Sequence, residues 1–393
     1  MKRNIILIIF IILLVPLYLY PFISNKKKYS YFENRPLTNE ISFKVENYIN
    51  KSFQDSIDNY LSDKFYKSQG VRLKYNRYFN YLDKLGINDI FCKNNYIRVS
   101  DKSYLFDCDN YLVKDPITKD IANGYLEDKI DMYNYINKKY KVYYYFINDS
   151  TTYDFINNKY SVDFADVLKE NFKGNFKVKS FKINSYEDYK KKYYRSDHHW
   201  NNYGSYIGYK DLVDFISPGD NYIKVENIYL FDSYKFYGSY AKEARTLDIY
   251  DKFEAYTFNV PKFKLTINED ENFNVYGGKN SIISNYGNNS FIEFDNMYGV
   301  FYGYDYGELL YDFNNPKKDN LLILASSFSN PINELIASHF NKTYIVDIRH
   351  YKNDVGKDFD IDKYIKDNKI DKILVLGNSS YYRTDEFNFE VGD

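Results

Sequence analysis

The chain has 393 residues, 44% of them hydrophobic and 27% charged, which supplies a packed core and excludes wholesale disorder. Its 53 basic side chains against 54 acidic ones leave a net charge of −1, which argues against a dedicated nucleic-acid binder, since such a protein needs a basic excess on its contact face. Two cysteines, Cys92 and Cys108, exclude a cysteine-based structural zinc site and a disulfide-dense scaffold.

At about 150 residues per domain, this length suits two or three domains or one domain with large insertions. Residues 5 to 23, IILIIFIILLVPLYLYPFI, carry no charge. At 1.5 Å per residue they span roughly 28 Å, close to the hydrocarbon thickness of a bilayer. The run leads into Lys26-Lys27-Lys28 without an Ala-x-Ala cleavage site, so the pattern predicts an uncleaved membrane anchor over residues 1–28 rather than a signal peptide. Basic residues flank both ends; the preferred orientation leaves the body of the protein outside.

From residue 29 to about 85 the apolar spacing is helical, as in Ile41, Val45, Tyr48, Ile49, Phe53, Ile57 and Leu61. Residues 86 to 108 read as two short strands with Asp101-Lys102-Ser103 as the turn. Cys92 and Cys108 lie in this stretch and can form one disulfide outside the cytosol; two unpaired, buried cysteines are the alternative. A helix is expected at about 118 to 140, followed by the buried-strand run KVYYYFI at 141 to 147. Residues 220 to 315 alternate Tyr, Phe, Asn and Gly in short runs, which predicts a β-rich insertion. The last 75 residues alternate strands (321 to 326, 343 to 348, 372 to 377) with helices (INELIASHF and FDIDKYIKD). That alternation predicts an α/β fold with a doubly wound parallel sheet.

The 48 tyrosines leave many amphipathic rings for interfaces or sugar stacking. The chain has four histidines: His198, His199, His339 and His350. Two of them fall in Tyr193-Tyr194-Arg195-Ser196-Asp197-His198-His199-Trp200, with the single tryptophan. In an extended segment Asp197 and His199 point the same way and His198 the opposite way. Asp197 can then accept from His199 Nδ1 and leave Nε2 as a general base. A metal site of Asp197, His198 and His199, or a buried and satisfied cluster, is the competing reading. His339 falls within a predicted helix and reads as structural.

Ser327 follows the apolar strand and precedes a helix expected to start near Pro331, with Asn330 as its cap. There, free N–H groups and the helix dipole can stabilise an oxyanion. Ser326, Ser327 and Ser329 as ordinary loop serines is the alternative. Asn378, after the last strand, is a candidate oxyanion donor beside Ser327, or a simple turn residue. Arg195, Arg349 and Tyr351 are candidate ligand contacts, and Trp200 can stack on a sugar face. Ion pairing for the two arginines, and packing of the His199 loop for Trp200, compete with those roles.

The tetrapeptide at 197–200 resembles the DHHW family of bacterial surface proteins, which is similar to alginate O-acetylation proteins of the SGNH-hydrolase-like class. The likeness extends to Glu33-Asn34-Arg35-Pro36-Leu37, Phe236-Tyr237-Gly238-Ser239-Tyr240, Ala325-Ser326-Ser327-Phe328-Ser329 and Asp347-Ile348-Arg349-His350-Tyr351. The relatives' serine block commonly reads Gly-Asp-Ser-Phe, so this chain departs at Ala325 and Ser326. The resemblance implies an SGNH-hydrolase-like domain over 29–393 with Asp197, His199 and Ser327 as a triad. It implies an extracytoplasmic, membrane-anchored O-acetyltransferase that modifies a cell-surface polysaccharide through an acetyl-serine intermediate. A membrane-bound O-acyltransferase would deliver the acetyl groups, and the chemistry requires no metal or diffusible cofactor. An esterase of the same fold and a non-catalytic protein that binds polysaccharide through a Tyr-rich face are the alternatives.

Overall fold

The computed structural model of the protein describes residues 15, 29–30, 35–37, 52–64, 96–100, 103–106, 111–244, 248–271, 296–389 and 391. Of the expected membrane segment only Val15 is among them, and Cys92 and Cys108 lie outside them. No helix among the described residues is long and apolar enough to cross a membrane.

Apolar runs long enough for a strand, and apolar on both faces, make a sheet covered on both sides. Among the described residues seven strands form it: β1 (Val142–Ile147), β2 (Phe176–Phe181), β3 (Lys264–Ile267), β4 (Glu308–Asp312), β5 (Leu321–Ala325), β6 (Lys342–Val346) and β7 (Lys372–Gly377). Their order is β3-β4-β6-β5-β7-β1-β2. From β6 to β2 all neighbours are parallel, whereas β4 runs antiparallel to β6 and β3 antiparallel to β4. Successive residues serve opposite cores. Tyr143, Tyr145, Ile147, Ile323, Leu374 and Leu376 join one, and Val142, Tyr144, Phe146, Leu322, Leu324 and Val375 the other.

The strands expected at 141–147, 321–326, 343–348 and 372–377 are present, with ends within two residues. Other segments differ from expectation. Tyr29–Ser30 pairs antiparallel with Arg35–Pro36 where a helix was predicted; Pro36 has no N–H for a helix interior. Ser52–Lys64, by contrast, is helical as expected. Tyr96–Ser100 and Ser103–Phe106 are joined by a third antiparallel strand, Tyr111–Lys114. The helix expected over 118–140 is broken into Lys119–Gly124, a 3-10 turn at Glu127–Lys129, and Ile130–Lys139. Within 220–315, Val225–Phe236 pairs with Asp251–Phe258, while β3 and β4 extend the main sheet.

The two crossovers around β5 place the site. The chain from β5 to β6 runs through the helix Asn333–Ala337, whose Leu335 and Ile336 enter the first core. From β6 to β7 it runs through helices Ile348–Val355 and Ile361–Asn368, whose Tyr351, Ile361 and Ile365 enter the second. The chain thus leaves β5 over the first face, and after β7 it enters Ser379–Arg383, whose Tyr381 and Tyr382 join the second core; departures toward opposite faces open a crevice at the carboxyl ends of two such strands. The helix Asn202–Ile216 covers the first face through Tyr209, Leu212, Val213 and Ile216. It brings the segment before it over that crevice.

Candidate active site

The tetrapeptide lies between the helices Tyr186–Lys192 and Asn202–Ile216, in a loop closed at its base by a bridge between Tyr193 and Trp200. Asn201 caps the second helix by accepting from the Gly204 N–H. The loop is bent rather than extended. The His198 ring therefore does not point away from His199: their centroids lie 3.8 Å apart. Asp197 Oδ1 accepts from both the backbone N–H of His199 at 2.9 Å and its Nδ1 at 2.7 Å. With Nδ1 as the donor, Nε2 is left to accept, and it lies 2.9 Å from Ser327 Oγ. Ser327 begins a 3-10 turn, Ser327–Ser329, directly beyond β5. The turn precedes the helix expected near Pro331, which begins at Asn333 with Ile332 at its cap position, and Asn330 donates to Asp305 rather than capping it.

Asp197 and His199 are buried. Burial alone would raise the Asp197 carboxyl, but His198, His199 and the hydrogen bonds from His199 and the Ser239 N–H outweigh it and hold the group well below the usual carboxylate range. The Ser239 N–H reaches Asp197 Oδ2 at 2.6 Å. Its hydroxyl lies 2.6 Å from His198 Nδ1. Burial, followed by the neighbouring His199, pushes His198 down to about 4, so that ring is neutral at physiological pH.

Further residues that the sequence reading did not assign to the site complete its walls. Tyr298, in the helix Met297–Tyr302, stacks on His199 with centroids 3.9 Å apart and planes 13° apart. Its hydroxyl donates to the Ser327 carbonyl at 2.8 Å. Asp251 accepts from the N–H groups of Arg195 (3.0 Å) and Ser196 (2.9 Å) and from the Ser196 hydroxyl, so it braces the loop. Gly238 packs directly on Asp197. Nothing in local spacing marks Tyr298 or Asp251, whereas Gly238 and Ser239 belong to a segment the sequence reading had singled out.

The other predicted residues lie elsewhere or are otherwise engaged. Trp200 is fully buried and donates from Nε1 to the Phe328 carbonyl at 3.1 Å; it offers no face to a sugar and instead packs the loop. Tyr351 is buried in the second core against Phe359 and Tyr364, so it too makes no surface contact. Arg195 donates from Nε to the Tyr250 carbonyl. Arg349 grips Asp347 through Nε and Nη2 and reaches Asp305 at 3.4 Å. Asn378 follows β7, but its amide nitrogen donates to Asp149 at 2.6 Å and its oxygen accepts from Ser380. His339 is buried between Tyr209 and Asp220, in keeping with a structural role.

Among the described residues two groups have donor atoms close enough to share a cation: Asp197, His198 and His199, and Asp305, Asp347 and His350. In the first, both Nδ1 atoms and both Asp197 oxygens already serve hydrogen bonds. In the second, the Arg349 guanidinium occupies the Asp347 carboxylate. The first group is thus arranged as a relay from carboxylate through imidazole to hydroxyl, the constellation that activates a serine.

No protein-family model and no curated protein matches the chain. Solved structures do. A DHHW family protein from Eubacterium siraeum superposes with a TM-score of 0.56 at 14% identity, over 75% of this chain and 95% of the other. PatB1 from Bacillus cereus superposes with a TM-score of 0.52 at 20% identity, over 75% of this chain and 99% of the other. The same protein with a sulfonyl adduct gives 0.51 at 21% identity, over 76% and 99%. The chain therefore shares the fold of a DHHW family protein and of PatB1, a mixed α/β architecture around a largely parallel sheet, and it carries the Asp-His-His-Trp tetrapeptide within that fold.

Proposed function

We propose that the protein is a serine-dependent acyl-transfer enzyme, an extracytoplasmic O-acetyltransferase that modifies a cell-surface polysaccharide. The observation that carries this reading is the unbroken series Asp197–His199–Ser327, with links of 2.7 and 2.9 Å. Ser327 Oγ attacks the acyl carbon of the donor while His199 Nε2 takes its proton. Asp197 remains ionised, holds the Nδ1–H tautomer and stabilises the imidazolium. In the short turn after β5 the first N–H groups, those of Ser327 and Phe328, have no acceptor within the turn and suit the developing oxyanion. His199 then protonates the leaving group. A sugar hydroxyl attacks the acetyl-serine with His199 again as base, which forms the new ester and frees Ser327. With water as acceptor the same steps make an esterase. The donor would be supplied across the membrane by a membrane-bound O-acyltransferase, as the family resemblance implies.

The test is acetate release from an activated acetyl ester by the detergent-solubilised full chain. Ser327→Ala and His199→Ala are each expected to lower the rate by about 10³-fold or more, without additivity in the double variant. Asp197→Asn is expected to lower it strongly by favouring the wrong tautomer. Ser326→Ala should leave the rate near the parent's, because the buried Ser326 hydroxyl has no hydrogen-bond partner among the described residues. A sulfonyl fluoride, the reagent class suggested by the sulfonyl adduct of PatB1, should label the parent at Ser327 only. A parent that neither releases acetate nor takes the label would overturn the enzyme reading and leave a polysaccharide-binding protein in its place.

A further inference from the structure

The base and the nucleophile come from segments 128 residues apart, so their 2.9 Å contact depends on what holds the two segments in register. Tyr298 touches both. Its ring lies nearly parallel to the His199 imidazole at 3.9 Å, and its hydroxyl donates to the Ser327 carbonyl at 2.8 Å. It is itself fixed: its ring is 2% exposed, and Tyr302, one helical turn on, packs edge-on against it at 5.0 Å. Tyr302 in turn donates to Asn202, at the start of the helix that follows the His199 loop.

The hydroxyl contact also has a directional effect. A trans peptide is planar, with its C=O and N–H pointing opposite ways. Holding the Ser327 carbonyl toward Tyr298 and the Asn330 N–H (3.2 Å) therefore aims the Phe328 N–H the other way. The ring has a separate effect, since a π face attracts the charged imidazolium that forms when His199 accepts the serine proton.

We propose that Tyr298 is a positioning residue for the Ser327–His199 pair, its ring setting the imidazole plane and its hydroxyl setting the peptide that follows the nucleophile. This assignment rests on the acyl-transfer reading for its kinetic consequences, whereas the ring contact can be measured without turnover. The two functions separate by substitution. Tyr298→Phe keeps the stack and loses the hydrogen bond; Tyr298→Leu loses both.

With the full chain and an activated acetyl ester, Tyr298→Phe is expected to lower kcat by about tenfold with KM within about twofold, the pattern of misplaced reacting groups rather than lost substrate contacts. Tyr298→Leu is expected to lower kcat by about a hundredfold. Proton spectra of histidine-labelled protein supply the readout that needs no activity. The His199 ring protons should be shifted upfield by the stacked ring in the parent and in Tyr298→Phe, and should lose that shift in Tyr298→Leu. A Tyr298→Phe variant with the parent's kcat, or a Tyr298→Leu variant that keeps the parent's His199 ring shift, would reduce Tyr298 to a core side chain. Should Tyr298→Leu fail to fold, Tyr298→Phe alone decides. An inactive parent with an intact ring shift would overturn the acyl-transfer reading and leave the contact standing without a catalytic purpose.

Discussion

At the scale of single residues, Gly238 shows how closely the Asp197–His199–Ser327 series is built into its surroundings. A Cβ placed there would come within 2.6 Å of Asp197 Cα and of the Ser196 carbonyl oxygen, and closer still to Asp197 Cβ. The backbone φ of −72° is one that any residue adopts, so the requirement is for space. That close approach lets the Ser239 N–H reach Asp197 Oδ2 at 2.6 Å. Gly238→Ala is therefore expected to cost about 1–3 kcal/mol, as overpacking in a filled site does. It should also suppress the acetate release expected of the proposed enzyme, by displacing the carboxylate that accepts from His199 Nδ1. Urea midpoints and initial rates measure the two effects; an alanine variant with the parent's rate would show that Asp197 tolerates the shift.

At the scale of elements, the His199 loop is held by a strand more than fifty residues later in the chain. Asp251, the first residue of Asp251–Phe258, receives hydrogen bonds from the backbone N–H groups of Arg195 and Ser196 and from the Ser196 hydroxyl. Burial raises its carboxyl to about 6 despite those donors and the nearby Arg195 charge. A folded-state value above the unfolded one means that protonation favours folding. The stability from this group is complete below about 4 and is lost as pH rises through about 6. The swing is at most about 3 kcal/mol at 1.4 kcal/mol per unit, and less to the extent that water reaches the carboxylate. Asp251→Ala should then destabilise the protein more at pH 4 than at pH 7, as read from urea unfolding at each pH. The opposite trend would mean that Asp251 is ionised and well satisfied throughout.

At the scale of the whole molecule, the crevice at the carboxyl ends of β5 and β7 receives Ser327 from the sheet and His199 from the layer above it. The tyrosines build the layers around that crevice. Tyr133, Tyr144, Tyr145, Tyr189, Tyr193, Tyr209, Tyr381 and Tyr382 are all fully buried, while among the described residues Tyr203 and Tyr222 are the exposed tyrosines. The aromatic excess is thus largely core material here rather than a stacking platform for sugars. The function proposed above, together with the uncharged run at residues 5 to 23, leads to the expectation that the protein is held at the membrane with its body outside. Protease added to intact cells should digest that body and leave a membrane-protected fragment from the amino terminus. Protection until the cells are lysed would reverse the orientation.

How much of this was legible in the sequence follows from what each signal measures. Runs such as LLILA and KILVLG (321–325 and 372–377) are apolar at every position because both faces of their strands are covered, and that is visible locally. The edge strand β2, FKVKSF, is only partly buried and alternates with lysine, so no such run announces it. Asp197 and His199 stand two residues apart, and their pairing could be anticipated; the bend that sets His198 beside His199 could not, because it depends on the Tyr193–Trp200 bridge and the hold of Asp251. The aromatic and charged character of Trp200, Tyr351 and Arg349 was equally legible, but the same chemistry that suits a ligand also suits a core or an ion pair. Burial decides between them. By itself the sequence determined the strand cores, the tetrapeptide and a serine at a strand end, all properties of neighbouring residues. The tertiary structure alone decided that Ser327 meets His199, that Tyr298 joins them and that Gly238 makes room for Asp197, because those contacts span 29 to 128 positions and leave no trace in local periodicity.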